Sequence, residues 1–168
     1  IHSEVPYKSG NQFFNIALAK CKHDFVATVM NSTCVEPAWE IMALNLMEKK
    51  PKCGVIGFKC LMDDPRAYGT IESAGIKIIE GWRPIDMGKM ESGHRLTVVY
   101  DPPAVQWAFA LLRKQAVVGN LREDIYHGFV GWDDIDNCFT LRSLGWEVYY
   151  CGYGVGYHKP RATRGSDE

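Results

Sequence analysis

Residues 128–158 read GFVGWDDIDNCFTLRSLGWEVYYCGYGVGYH, a run that passes from a turn into helical spacing and then into a strand. Three carboxylates fall within the four positions that begin at Asp133, where the glycine–aromatic turn gives way to the helix. Free backbone N–H groups and the helix dipole favour ionised acids at that end. The strand-like run then leads to His158. An ionised carboxylate beside Trp132 suits a general base that removes a proton from a hydroxyl.

The chain upstream of this run begins as an alternation of helices and apolar strands. Apolar residues recur at helical spacing over residues 11–21, and the apolar run 25–30 predicts a strand buried on both faces. Pro37 suits a first helical position, and Pro51 ends the helix that follows it. Residues 53–61 then predict a second buried strand.

The second half of the chain continues this pattern. Short strands and loops, including one strand over 76–79, are predicted between residues 69 and 100, and 107–112 reads as another buried strand. A helix over 135–144 ends at Gly145, and 148–151 closes as a strand. Helices that alternate with buried strands predict an α/β fold, with one domain over residues 1–168.

Composition excludes some classes of function. The chain has 19 basic and 20 acidic residues, so no broad cationic surface is expected for nucleic acid. No apolar run approaches the roughly 18 residues that a membrane span needs. The six cysteines form no C-x-x-C pair and lie mostly in apolar runs, which favours reduced thiols while leaving disulfides open.

The run from Asp133 to His158 resembles the inverting family-2 glycosyltransferases of the GT-A fold. In that family a segment of the form acid-acid-x-Asp-x-x-x-x-Arg-x-x-Gly-aromatic precedes a strand that ends near a histidine. Asp133-Asp134-Ile135-Asp136, Arg142, Gly145-Trp146 and His158 match it in this chain. Residues 107–114 also resemble the family's strand before the acceptor loop, and 24–26 and 35–39 resemble the elements that flank its metal motif. The resemblance implies a mixed sheet flanked by helices, a GT-A-like (Rossmann-like) architecture.

The resemblance also implies a reaction and its participants. A sugar would pass with inversion from a UDP- or GDP-sugar donor to a glycan or other hydroxyl acceptor, with Asp134 as the base and Asp133 beside it. A divalent cation, Mn²⁺ or Mg²⁺, would assist the diphosphate, with His158 as a candidate ligand. The structural alternative for the two acids is ordinary charging of a helix N-terminus.

Further residues are candidates for substrate binding, each with a plain structural alternative. Trp132 could stack on a sugar ring or anchor a loop, whereas Trp107 at the head of a buried strand suits the core better. Lys159, Arg161 and Arg164 could clamp the diphosphate or form a solvated tail. Asn31 stands where the donor and metal motif of the family is expected.

The chain departs from the family in two respects. Asn31-Ser32-Thr33-Cys34 has no carboxylate where the family carries metal-binding acids, and only thirty residues precede Asn31. The N-terminal nucleotide-binding units are therefore short or missing, as in a fragment or a compact variant. A cytoplasmic location is expected, with the Golgi lumen or a membrane-associated complex as alternatives for a fragment.

Two other functions remain open from the sequence. The first is a non-catalytic module of the same fold that binds carbohydrate or a partner protein, as the missing acids suggest. The second is a cysteine–histidine metal protein built from Cys53, Cys60, His94 and His127, although these ligands are irregularly spaced.

Overall fold

The computed structural model describes residues 9–124 and 132–159. In chain order its elements are α1 (Gly10–Lys20), β1 (Phe25–Val29), β2 (Thr33–Val35), α2 (Trp39–Lys49), β3 (Cys53–Met62), β4 (Ile71–Ser73), β5 (Ile76–Ile79), β6 (Arg83–Asp86), β7 (Val99–Tyr100), β8 (Phe109–Arg113), α3 (Lys114–Val117), α4 (Asp133–Ser143) and β9 (Glu147–His158).

Seven of the strands form one mixed sheet with the order β1-β8-β3-β9-β2, in which β4 pairs with β3 and β7 pairs with β9. The β3–β9 pair is parallel, and the other pairs of this sheet are antiparallel. Strands β5 and β6 form a separate hairpin. β3 lies at the centre of the sheet and is buried along almost its whole length, as its apolar sequence predicts.

Helices cover both faces of the sheet. Ala43 and Met47 of α2 pack on one face with Ile56 and Phe109. On the other face, the core includes Leu18 of α1 and Leu141 of α4 together with Val55, Leu112 and Val148 of the sheet. The α/β prediction and the mixed sheet flanked by helices are therefore confirmed.

The ends of several elements differ from the sequence prediction: α2 begins at Trp39 rather than at Pro37, and β8 begins at Phe109 rather than at residue 107. Helix α4 begins at Asp133, two residues before the predicted start, so its acids lie within the first turn. Gly145, with a φ of 85°, follows the helix as predicted. β9 continues to His158 beyond the predicted end at residue 151, because a bulge lets the glycine-rich segment stay in the sheet.

No helix within residues 9–124 and 132–159 is both long enough and apolar enough to cross a membrane.

Candidate functional site

A cleft of about 360 Å³ brings together residues that are far apart in the sequence. Its wall combines the start of α4, the end of β9, strand β4 and the β5–β6 hairpin. Three of the predicted site residues line it together: Trp132, Asp134 and His158. We call it the Asp134 cleft. They meet there because β9 runs beside β3 and carries His158 to the edge at which α4 begins.

Asp134 is held at the cleft by the backbone. Its Oδ2 accepts a hydrogen bond from the Trp107 N–H at 2.9 Å, just before β8. Burial, with a smaller contribution from the Asp133 charge, raises the pKa of Asp134 to about 7. The sequence predicted that the helix dipole would keep these acids ionised, but desolvation outweighs it at Asp134. A carboxyl with a pKa near neutrality can both accept and hold a proton at physiological pH.

Asp133 lies beside Asp134 and packs against the start of α1. A Cβ built on Gly10 would stand 3.0 Å from Asp133 Oδ2, so this carboxylate abuts the first turn of α1. Among the described residues Asp133 is not part of the cleft wall. Its contribution to the site is its negative charge and its hydrogen bond with Asp134, both of which favour a proton on Asp134.

His158 forms a close pair with a residue that the sequence did not suggest. Its Nδ1 lies 2.7 Å from Glu72 Oε2, and the two side chains are only 14% and 13% exposed. Nε2 is therefore the ring nitrogen left for a ligand in the cleft. Glu72 escaped prediction because it lies 86 positions away on the three-residue strand β4, which has no distinctive pattern of its own.

A third acid lies in the same wall. Asp86, at the end of β6, accepts a hydrogen bond at 2.9 Å from Gln106 Nε2, and both residues line the cleft. Burial raises the pKa of Asp86, although the hydrogen bonds it accepts act in the opposite direction. Sequence reasoning missed this pair too, because only the tertiary fold brings the β5–β6 hairpin against residue 106.

The residues that the structure describes do not form a site for a resident divalent cation. Within residues 9–124 and 132–159, no three or more His, Cys, Asp or Glu side chains are grouped so that they could hold a metal ion. The turn at Asn31-Ser32-Thr33 brings no carboxylate, and the predicted ligand His158 is paired with Glu72. A single imidazole does not make a Mn²⁺ or Mg²⁺ site, since these cations prefer several oxygen ligands.

The remaining predicted binding residues have different surroundings. Trp132 is 49% exposed at the lip of the cleft, whereas Trp107 is 3% exposed and packs edge-on against Phe14 in the core. The Trp107 ring is thus not available to a substrate, which removes it from the candidate binding residues and agrees with the core position that the sequence favoured. Asn31 and Lys159 are exposed neighbours, because the Lys159 N–H donates to the Ser32 carbonyl at 2.9 Å.

The predicted clamp residues Arg161 and Arg164 lie outside the described residues, as does His127 of the cysteine–histidine hypothesis. Cys53 and Cys60, its proposed thiol ligands, are buried, and all six cysteines are free thiols. Burial raises the pKa of Cys53 to about 12, which disfavours the thiolate that a metal would need.

No family model matches the chain. The uncharacterized protein y4gI of Sinorhizobium fredii is 25% identical over 163 residues, and the match covers 92% of this chain but only 17% of that protein. Among solved structures, GalNAc-T7 with UDP, GalNAc and Mn²⁺ is similar with a TM-score of 0.62 and 13% identity, over 90% of this chain and 30% of that one. A197 from STIV is similar with a TM-score of 0.50 and 10% identity, over 88% of this chain and 64% of that one.

The chain therefore spans less than a third of the glycosyltransferase whose fold it shares and about a sixth of its curated relative. At these identities the likeness concerns the fold alone. The mixed sheet with helices on both faces is a GT-A-like fold.

Proposed function

We propose that this chain is the acceptor-side catalytic part of an inverting glycosyltransferase related to family 2. The observation that carries the proposal is Asp134, a carboxyl with a pKa raised to about 7 that lines a cleft in a GT-A-like fold. The exposed ring of Trp132 at the lip adds a surface for the C–H face of a sugar. The residue match from Asp133 to His158 supports the same reading.

In the proposed reaction, Asp134 removes the proton from an acceptor hydroxyl. The oxygen of that hydroxyl bonds at the same time to the anomeric carbon of the donor sugar. The bond from that carbon to the nucleoside diphosphate breaks, and its electron pair leaves on the phosphate oxygen. Attack opposite the leaving group inverts the configuration. The Trp107 N–H holds one carboxyl oxygen of Asp134 in place, so the base is oriented before the acceptor arrives.

The leaving diphosphate needs a partner, and His158 and Lys159 are the described groups of suitable chemistry near the cleft end of β9. The Glu72 carboxylate orients the His158 ring through Nδ1, so Nε2 is the ring nitrogen that would face a phosphate oxygen of the donor. The proposed reaction uses no divalent cation, because the donor groups of the described residues do not fit one. UDP- and GDP-sugars are the proposed donors, and a cytoplasmic location remains part of the proposal.

The test of the base is Asp134→Asn. A general base contributes about 10²–10⁴-fold, so we expect transfer to fall by that factor while the fold and UDP affinity are kept. Asp124→Asn is the matched control, because Asp124 is exposed and outside the cleft. Transfer at the wild-type rate in Asp134→Asn would remove the assignment. The assay uses the longest natural chain that contains these residues.

The second candidate is a non-catalytic module of the same fold that binds carbohydrate or a partner. It is favoured by Asn31-Ser32-Thr33, which supplies no acid where the family resemblance expects one. Calorimetry with UDP- and GDP-sugars, with and without Mn²⁺, separates the two candidates. Saturable donor binding supports the enzyme, and its absence under both conditions supports the binding module.

A further inference from the structure

β9 leaves its register with β3 at the glycine-rich segment. Phe58 pairs with Cys151, but the next residue of β3, Lys59, pairs with Val155. Residues 152–154 therefore have no partner on β3 and bulge out of the ladder. Close packing holds the bulge, because a Cβ on Gly154 would stand 2.5 Å from Phe58 Cδ1.

The bulge lies beside a buried lysine at the centre of the sheet. Lys59 is 2% exposed, and its ammonium donates to the Gly93 carbonyl at 2.9 Å and to Thr97 Oγ1 at 2.8 Å. Both acceptors are neutral, and no carboxylate of residues 9–124 and 132–159 forms an ion pair with Lys59. An ammonium has three donors, so one N–H remains for a further acceptor.

A cavity of about 500 Å³ opens at this lysine, and we call it the Lys59 cavity. Tyr153, at the tip of the bulge and 51% exposed, lines it together with Tyr157. The Tyr68 ring stacks on Tyr157 with centroids 5.7 Å apart and planes 18° from parallel. Glu36 also lines the cavity. The pKa of Tyr157 is raised, first by burial and second by the nearby Glu36 charge.

We propose that the Lys59 cavity is a saccharide-binding site. Tyrosine rings provide flat surfaces for the C–H faces of a sugar ring, and phenol groups at their edges can bond its hydroxyls. Hydroxyl groups both donate and accept, so one ligand can receive the free N–H of Lys59 and donate to Glu36. A free anion fits less well, because the Glu36 carboxylate would repel it.

This site is separate from the Asp134 cleft. The two share no lining residue among those described, and the inference stands whether or not Asp134 is catalytic. A saccharide seated at Lys59 would give the chain a second contact with a glycan, away from the cleft.

The test is saturation-transfer difference NMR on the purified chain with glucose, galactose, mannose, N-acetylglucosamine and N-acetylgalactosamine. We expect at least one of these sugars to bind with a millimolar Kd. Tyr153→Ala should weaken that binding about tenfold, as expected for loss of one aromatic platform. Trp82→Ala removes an aromatic ring that is 83% exposed and lines neither space, so it should leave the Kd unchanged.

Lys59→Met supplies a second readout, because it keeps the side-chain length and removes the donor. Lys59→Met should weaken sugar binding at least as much as Tyr153→Ala does, and a circular dichroism melt establishes that the variant is folded. The absence of a saturation-transfer signal with all five sugars overturns the inference. A Kd that Tyr153→Ala leaves unchanged overturns it as well. If Trp132→Ala removes the signal instead, the sugar binds in the Asp134 cleft and the inference fails while the proposed function gains support.

Discussion

The Asp134 cleft and the Lys59 cavity are both built on the end of β9, yet they bury groups of opposite charge. Successive residues of a strand point to opposite faces, and Tyr157 and His158 accordingly line different spaces. In the cleft, burial pushes Asp134 towards its neutral form. In the cavity, burial lowers the pKa of Lys59. Desolvation therefore gives Asp134 a pKa at which it can accept a proton near pH 7. The same effect makes the buried Lys59 ammonium depend on hydrogen-bond acceptors.

The largest expected effect tests the bulge that forms the cavity. Gly152 lies so close to the Leu96 carbonyl that an added Cβ would collide with backbone. Gly152→Ala should therefore lower the free energy of unfolding by about 3 kcal/mol, measured by urea denaturation. Tyr153→Ala, the next residue, is half-exposed and should cost less than about 1 kcal/mol. Equal losses in the two variants would contradict the close packing of the bulge.

The next effect tests the buried acid of the cleft through pH. The folded Asp134 pKa is raised from 3.8 to about 7, so between these values the folded state keeps a proton that the unfolded state has lost. Stability should therefore fall as the pH rises from about 4 to about 7 and then level off. Asp134→Asn removes this dependence, and above pH 7 it should be more stable than wild type by on the order of a few kcal/mol.

Urea denaturation at a series of pH values measures this slope. Asp124→Asn is the control and should keep the wild-type slope, because Asp124 is exposed. If Asp134→Asn keeps that slope as well, the carboxyl is not desolvated in solution.

Sequence reasoning reached some of these residues and not others, for physical reasons. Trp132, Asp134 and His158 were identified because they lie in one run whose turn, helix and strand are set by local spacing. Glu72, Asp86 and Gln106 were not, because short strands with little periodicity bring them in only through tertiary pairing.

The direction of the Asp134 pKa shift was also beyond the sequence. The helix dipole can be read from position, but desolvation depends on the residues before β8 and in the β5–β6 hairpin that line the cleft with the carboxyl. The two tryptophans were an easier case, because Trp107 begins an apolar run whereas Trp132 stands between Gly131 and Asp133. The sequence favoured the core for Trp107, and its edge-on packing against Phe14 agrees.

A smaller effect concerns the partner of His158. Glu72→Gln keeps the size of the side chain but removes the charge that orients the ring. Under the proposed function, UDP affinity should fall about fivefold, the equivalent of one charge-assisted hydrogen bond weakened to a neutral one. Calorimetry with UDP measures it. Glu91→Gln, which breaks an exposed ion pair with Arg95 outside the cleft, is the matched control and should leave UDP affinity unchanged. A larger loss in Glu91→Gln than in Glu72→Gln would contradict the role of the pair.

The smallest effect distinguishes an aromatic ring in the cleft from one that is merely exposed. Trp132 is 49% exposed in the cleft wall, and Trp82, at the turn between β5 and β6, is 83% exposed and lines neither space. Neither substitution to alanine should change stability by more than about 0.5 kcal/mol, because neither ring is in the core.

Trp132→Ala should raise the KM for the acceptor about fivefold with little change in kcat, since stacking holds substrate and transition state alike. Trp82→Ala should change neither constant. Steady-state transfer kinetics measure both variants, and a fall in kcat alone for Trp132→Ala would mean that the ring acts on the reacting groups rather than on acceptor binding.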